Sequence, residues 1–562
     1  MGFKNISWNT LDDSRYANIL FIISFLLALT LRSAFEISYP QISCDYAHLA
    51  LKAKNFIEGH GFTYGRVSLQ NISDVKYETW NLWPNGFSML IVLFYYFTGS
   101  LINAMVLSQV VGVILLIFGL LRVCKALKLN KFTQSFFLLF TAFTVTPYTY
   151  LQTTDLLTAA LFLWTIALTI ELCTNEKRNL WKEIVIGLLL FLSATLRYAC
   201  ISNIIIIPCF FIFFSWIKKN SKAFFSGTAI LVCAAIPTFI FYKVYTILPS
   251  RSNIANDLIH LRFSGLIHST IYWSSLKWFD AFPLKAFFCT LPLEFRLPHN
   301  SFITKAVRLS ENVISLSILS YLGWYFFRKR NWIKSLKENN PVEIFTALSI
   351  FFFIVIIATI SLQSLTMPLE QYRIPWMPAG MTAVFITRYF VMPVLIIQIL
   401  FFLLLQNTLK KATAIKYMSG IVCAWFILCM LFNIVHWAYG IYQYKADEKN
   451  NYSYWNKGRY MIDIHEMLNQ DAKKNQGVNI VFITSTEARN ACDPSIYSWS
   501  TNMVFQYDSV IQGKFQHTKP VILYALMQWN SLTSDEKKFI SNFNAQEVFE
   551  YSDKVLYRAY LE

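Results

Sequence analysis

The sequence predicts a polytopic α-helical membrane protein of about eleven spans. Amphipathic helices fill its first outer loop, and a small α/β domain closes the chain. Three observations carry this reading: the composition, the recurrence of long apolar stretches, and the placement of basic residues. The 562 residues are 55% hydrophobic and only 14% charged, with a mean hydropathy of +0.42. Soluble domains carry about 25% charged residues, so the chain belongs with membrane proteins. Stretches of about 18 apolar residues or more, long enough to cross a bilayer, occupy 17–35, 101–121, 134–151, 154–172, 183–199, 201–217, 224–247, 309–327, 342–362, 389–406 and 417–439. The apolar run 86–97 is too short to cross and is expected to lie in the interface or re-enter.

A net charge of +17 invites a nucleic-acid partner, but the distribution of the charge excludes one. Basic residues cluster at Arg122/Lys125/Lys128/Lys131, Lys177/Arg178/Lys182, Lys218/Lys219/Lys222, Arg328/Lys329/Arg330/Lys334/Lys337 and Lys410/Lys411/Lys416. These clusters fall in every second short loop, the pattern of cytoplasmic loops, and account for about as many charges as the whole excess. The N-terminus is then cytoplasmic, and an odd number of spans carries the C-terminus outside. Loops 36–100, 248–308 and 363–388 face the same outer side. The first span carries Arg32 near its outer end and lacks a small-x-small cleavage site, so it reads as a retained anchor in a multi-pass protein of the cytoplasmic membrane.

Two domains follow: a membrane domain over 1–440 and an extracytoplasmic α/β domain over 441–562. Composition turns polar at Lys445-Ala-Asp-Glu-Lys449. Helices are expected at 458–474 and 534–542, and strands at 477–484, 520–526 and 548–551. Ten cysteines are scattered without a Cys-x-x-Cys pair or a Cys/His cluster at zinc spacing.

The first outer loop is long for a structureless connection and too apolar for disorder. Asp45, His48, Lys52 and Asn55 recur at helical spacing, with Tyr46, Leu49/Ala50, Ala53 and Phe56/Ile57 on the opposite stripe. That pattern is an amphipathic helix ending at Gly59 and Gly61, lying on the outer leaflet with its polar face turned to whatever the loops enclose. Asp45 is either a helix-dipole carboxylate or a functional acid. Asp155, in Thr153-Thr-Asp-Leu-Leu157, is either a helix cap or a site residue at a membrane boundary, where a carboxylate is costly. Arg197, Arg373 and Arg388 sit on the outer side, where the charge rule predicts few arginines. Each either snorkels to headgroups or binds a phosphate bidentately. His60 beside Glu58 is a weak metal pair. The run Trp80-Asn-Leu-Trp-Pro-Asn-Gly-Phe87 is an interfacial belt or a sugar-stacking platform.

Taken together, these segments resemble the GT-C superfamily of polytopic glycosyltransferases, in the bacterial branch allied to protein O-mannosyltransferases and the lipid A aminoarabinose transferase. The resemblance rests on Asp45-Tyr-Ala-His48 with Ala53-Lys-Asn-Phe-Ile-Glu-Gly-His-Gly-Phe62, on Trp83-Pro-Asn-Gly-Phe-Ser-Met-Leu90, on Thr154-Asp155, and on Arg388-Tyr-Phe-Val-Met-Pro393. Here Cys44 precedes Asp45 where many relatives carry paired acids, and Asn85 stands for the commoner proline. The resemblance implies an inverting transferase that moves a hexose or pentose from a polyprenyl-phosphate donor to a hydroxyl of a lipid, glycan or protein at the outer face. Asp45 and Asp155 would be catalytic, and Arg373, Arg388 and Arg197 would bind the donor phosphate. His48, Lys52, His60 and Trp83 would contact substrate. No metal ligand set and no cofactor is called for, although Asp155 could hold a divalent cation. A lipid-linked glycan transporter is the alternative, but it favours internal repeats and broken midplane helices. A non-catalytic scaffold would leave the outer acids and arginines unexplained.

Overall fold

The computed structural model describes residues 15–38, 44–79, 84–144, 154–175, 178–245, 332–366, 391–408, 457–484, 503–551 and 554–562, together with single positions between 431 and 442. Spans 309–327 and 417–439, loops 248–308 and 363–388, and three candidate site residues, Trp83, Arg373 and Arg388, lie wholly or mainly outside the described residues. The chain divides into two compact units. One comprises Met1–Ala34, Val111–Tyr150 and Asp155–Ala438, and the other Phe35–Val110, Leu151–Thr154 and Tyr439–Glu562. The first outer loop thus shares a unit with the C-terminal segment.

The first unit is a bundle of apolar helices. In chain order they are α1 (Arg15–Ser38), α4 (Leu101–Ala126), α5 (Lys131–Thr144), α6 (Thr154–Thr174), α7 (Leu180–Leu196), α8 (Ile201–Lys218), α9 (Ser221–Tyr245), α10 (Trp332–Lys337), α11 (Pro341–Thr366) and α12 (Val391–Thr408); the ends of α1 and α4 reach into the second unit. Among the described residues, α1, α4, α6, α8 and α9 are long and apolar enough to cross a membrane. The protein is a polytopic helical membrane protein.

Packing inside this unit relies on small residues and on ring contacts. Gly112 and Gly119 of α4 let α6 approach, and the indole of Trp164 donates to the Leu115 carbonyl at 3.0 Å. Phe162 of α6 meets Phe352 of α11 with ring centroids 4.9 Å apart, and Phe137 of α5 meets Phe402 of α12 at 5.3 Å. At Gly187 of α7 an added Cβ would collide with Cys233 of α9. Gly187→Leu is therefore expected to cost about 1–3 kcal/mol by overpacking, read as a lowered unfolding temperature in detergent. An unchanged midpoint would mean that this helix pair is not closely packed.

Two ion-pair clusters tie the basic ends of the helices. Glu171 of α6 accepts from Arg122 of α4 at 3.0 and 2.9 Å and from Lys182 of α7 at 2.7 Å. Buried Glu183 of α7 is held by Arg178 at 2.8 Å and by the Ser226 hydroxyl of α9 at 2.6 Å. Both acids are satisfied bidentately or by two donors, as charges in an apolar setting require.

The second unit contains α2 (Cys44–Ile57), β1 (Tyr64–Ser68), β2 (Asn71–Glu78) and α3 (Gly86–Thr98), followed near the C-terminus by α13 (Lys457–Lys474), β3 (Asn479–Thr484), α14 (Met503–Ile511), β4 (Val521–Gln528), α15 (Ser534–Asn542), β5 (Gln546–Tyr551) and β6 (Lys554–Leu561). A four-stranded sheet runs in the order β3-β4-β6-β5, with β3 and β4 parallel and the other pairs antiparallel. β4 is buried almost throughout, as a central strand covered on both faces should be. Thr533 and Glu536 form a reciprocal capping box at the start of α15. Asp471 of α13 docks the helix on the sheet, accepting from Tyr524 at 2.6 Å and Arg558 at 2.7 Å.

β1 and β2 form an antiparallel hairpin that the sequence reading leaves out of the first loop. The hairpin is stitched to the C-terminal segment. The Ile72 amide donates to Gln516 O at 2.8 Å, the Gln516 amide to Leu69 O at 2.9 Å, and Asn479 Nδ2 to Ile72 O at 2.9 Å. Val67 and Ile72 join the hydrophobic core formed by β3, β4, β6 and α14.

Candidate active site

The first-loop group is built on α2. Its apolar stripe is buried through Tyr46, Leu49, Ala50 and Ala53. The Tyr46 hydroxyl donates to Met105 O at 2.6 Å, and its ring lies 5.3 Å from that of Phe87. The polar stripe, expected to face whatever the loops enclose, is buried as well: His48, Lys52 and Asn55 are 7%, 0% and 0% exposed. What covers them is β1 and the start of α3. Lys52 Nζ donates to Asn85 Oδ1 at 2.9 Å and lies 5.5 Å from the Tyr64 ring centroid. His48 meets the same ring edge-on at 5.7 Å, and Asn55 Nδ2 donates to Thr63 O at 2.8 Å.

Asn85 is the residue that the sequence reading missed. It precedes α3 as its N-cap, yet its side chain makes no capping hydrogen bond and accepts from Lys52 instead. The signal was present in Pro84-Asn-Gly86, a polar residue set between two turn-formers ahead of an apolar helix. Burial in this pocket lowers the Lys52 pKa from its ordinary value to about 7, since the ammonium loses its hydration. Lys52 is thus a cation that gains or loses its proton near neutrality.

Gly59 and Gly61 adopt φ of +88° and +73°, which only glycine takes without strain, and they turn the chain from α2 into the hairpin. His60 between them is exposed and stacks on Tyr77 of β2, with ring centroids 3.8 Å apart. It therefore stands apart from the His48/Lys52 group. Asp45 lies in the first turn of α2, one helical turn before His48.

In the bundle unit, Asp155 opens α6 and is fully buried. Arg197 ends α7 in an extended conformation, with its amide donating to Ser193 O at 3.1 Å, and the chain then passes through a 3₁₀ turn, Tyr198–Cys200, into α8. That break in the helix presents the guanidinium to Asp155, and the two form an ion pair. Two residues singled out separately, one as an acid and one as a phosphate binder, are thereby brought together. Next to Arg197, Tyr198 stacks on Tyr242 at 5.5 Å, and the Tyr242 hydroxyl donates to Ala194 O at 2.6 Å, which holds the end of α7 against α9. Among the described residues no group of three or more His, Cys, Asp or Glu side chains is placed to hold a metal ion.

No protein-family model matches the chain, and no curated protein matches it. Solved structures do. ArnT from Cupriavidus metallidurans bound to undecaprenyl phosphate aligns over 96% of this chain and 97% of its own, with a TM-score of 0.51 at 9% sequence identity. The archaeal oligosaccharyltransferase AglB from Archaeoglobus fulgidus, in complex with an inhibitory peptide and a dolichol-phosphate, aligns over 92% of this chain and 70% of its own, with a TM-score of 0.48 at 9% identity. At this identity the likeness is one of fold: the chain is a polytopic helical membrane protein whose fold is similar to that of the ArnT structure.

Proposed function

We propose that this protein transfers a sugar from a polyprenyl-phosphate donor to a hydroxyl acceptor at the outer face of the cytoplasmic membrane, with inversion at the anomeric carbon. The observation that carries the proposal is the correspondence of fold along the whole chain to ArnT, whose structure holds undecaprenyl phosphate. Fold alone does not assign chemistry, and the residues supply the second support. In this reading, Asp45 accepts the acceptor hydroxyl's proton as its oxygen attacks the anomeric carbon. The bond from that carbon to the phosphate oxygen breaks, and polyprenyl phosphate departs with the electron pair. The leaving group is already a stable anion, so it needs positive charge more than a proton. Arg197, Arg373 and Arg388 supply that charge, while His48, Lys52 and Trp83 contact the substrate and His60, apart from them, meets it from the exposed turn.

Asp155 takes an orienting role in this scheme. It pairs with Arg197 and would hold that guanidinium in place for the donor phosphate. Lys52 has a sharper one. With a pKa of about 7, it is mostly neutral at pH 8 and becomes protonated when a phosphate dianion comes near, because an adjacent anion favours the ammonium.

The experiment is calorimetric titration of the purified protein with undecaprenyl phosphate in two buffers of different ionisation enthalpy. Saturable binding is expected, with uptake of about one proton at pH 8 and less at pH 7. Lys52→Gln should bind without that uptake. Binding with no buffer dependence would remove Lys52 from the phosphate site. Absence of binding, together with absence of sugar transfer from any polyprenyl-phosphate donor, would sink the proposed function.

A further inference from the structure

The basic end of the bundle holds a cavity that the transfer chemistry leaves unused. It has a volume of about 300 Å³ and lies where the last turns of α6 and α8 meet the first turn of α9 and the end of α10. Arg178, Lys218, Lys222 and Lys337 line it, and among the described residues no Asp or Glu does. Glu183 holds Arg178 from behind at 2.8 Å, so one positive charge of the four is offset locally. Lys218 donates to Asn339, which fixes its ammonium in the wall. The N-terminus of the 25-residue helix α9 adds the positive end of its dipole at Lys222 and Ala223.

The flank of this wall is apolar and open. Phe224 and Phe225, in the same first turn of α9 as Lys222, are 46% and 55% exposed, and Trp216 in the last turn of α8 is 77% exposed. On a membrane protein such rings at a helix end form the interfacial belt. A soluble phosphate would need only the charges. A phospholipid needs both features, with its phosphate among the lysines and its chains along the rings.

We propose that this cavity binds the phosphate of an anionic phospholipid headgroup, of the phosphatidylglycerol kind, from the leaflet at the basic end of the bundle. Basic pockets between transmembrane helices on this side suit that chemistry. The inference rests on the protein's being embedded in a membrane and is independent of sugar transfer.

The test uses the full chain reconstituted in nanodiscs of mixed phosphatidylglycerol and phosphatidylcholine, with protein-retained lipids measured by native mass spectrometry. Preferential retention of phosphatidylglycerol is expected. Lys222→Gln combined with Lys337→Gln should weaken it about twenty-five-fold, since each lysine near a membrane surface contributes roughly fivefold. Lys473→Gln with Lys514→Gln, two exposed lysines of the C-terminal segment, should leave retention unchanged. If the first double variant fails to stay monodisperse, Lys337→Gln alone, on the exposed end of α10, should still show about a fivefold loss. Equal retention of the two lipids, or undiminished retention in the variants, would overturn the proposal. Displacement of phosphatidylglycerol by inorganic phosphate at millimolar concentration would also overturn it, by assigning the cavity to a soluble anion.

Discussion

Replacing Asp45 by Asn is expected to lower the rate of sugar transfer by about 10²–10⁴-fold, the usual worth of a general base, while leaving the protein folded. The substitution is isosteric and changes only the charge at the start of α2. That helix is anchored elsewhere, by Tyr46 on Met105, Lys52 on Asn85 and Asn55 on Thr63. As a dipole carboxylate alone, Asp45 would contribute about 0.3–1 kcal/mol of stability and nothing to the rate. The two roles therefore separate in one pair of measurements. Release of polyprenyl phosphate from a polyprenyl-phosphate sugar, with membrane extract as acceptor source, reads the rate. The unfolding midpoint reads the fold. A full rate with a slightly lowered midpoint would return Asp45 to the dipole role. Asp45→Glu, which keeps a base but shifts it by one methylene, should recover part of the activity.

Breaking the Asp155–Arg197 pair is expected to have the largest effect on stability. Arg197→Ala leaves a fully buried carboxylate in the bundle, and removing one partner of a buried pair costs about 3–5 kcal/mol. The loss should appear as a large fall in the unfolding midpoint in detergent. Asp155→Leu combined with Arg197→Leu should restore most of that stability, because neither variant side chain needs a counter-charge. Transfer should remain lost in the double variant if Arg197 also serves the donor phosphate. A single variant as stable as the parent would mean that the pair is solvated rather than buried.

Much of the bundle was legible because apolar length is a local property. The stretches 154–172 and 201–217 sit within α6 and α8, and 224–247 overlaps α9 over 224–245. The end of α2 was legible for the same reason, since Gly59 and Gly61 announce a left-handed turn. The covering of α2 was not. Periodicity tells which residues share a face, but not what lies against that face: Lys52 and Asn55 were expected to face whatever the loops enclose, and what lies there is Asn85, Tyr64 and Thr63. The hairpin escaped because its two-residue connection, Leu69-Gln70, lacks the Asn-Gly or Asp-Gly signature of tight turns. Its inward residues, Val67 and Ile72, pack on strands more than four hundred positions further along. The Asp155–Arg197 pair was hidden differently. Each residue stood out alone at a helix end, and no spacing rule joins positions in separate helices.

The stitching of the hairpin to the last strands also sets an order on synthesis. Residues 64–78 leave the ribosome early, yet the atoms they bond to, on Asn479 and Gln516, are made after most of the chain has been threaded into the bilayer. Until then the hairpin's apolar side has no permanent cover, and α2 with its buried lysine hangs from an unfinished support. The second unit therefore matures late, once Asn479 and Gln516 have joined the hairpin. A ribosome stalled before Gln516 would hold a chain whose described membrane-length helices are complete and whose hairpin still lacks this partner.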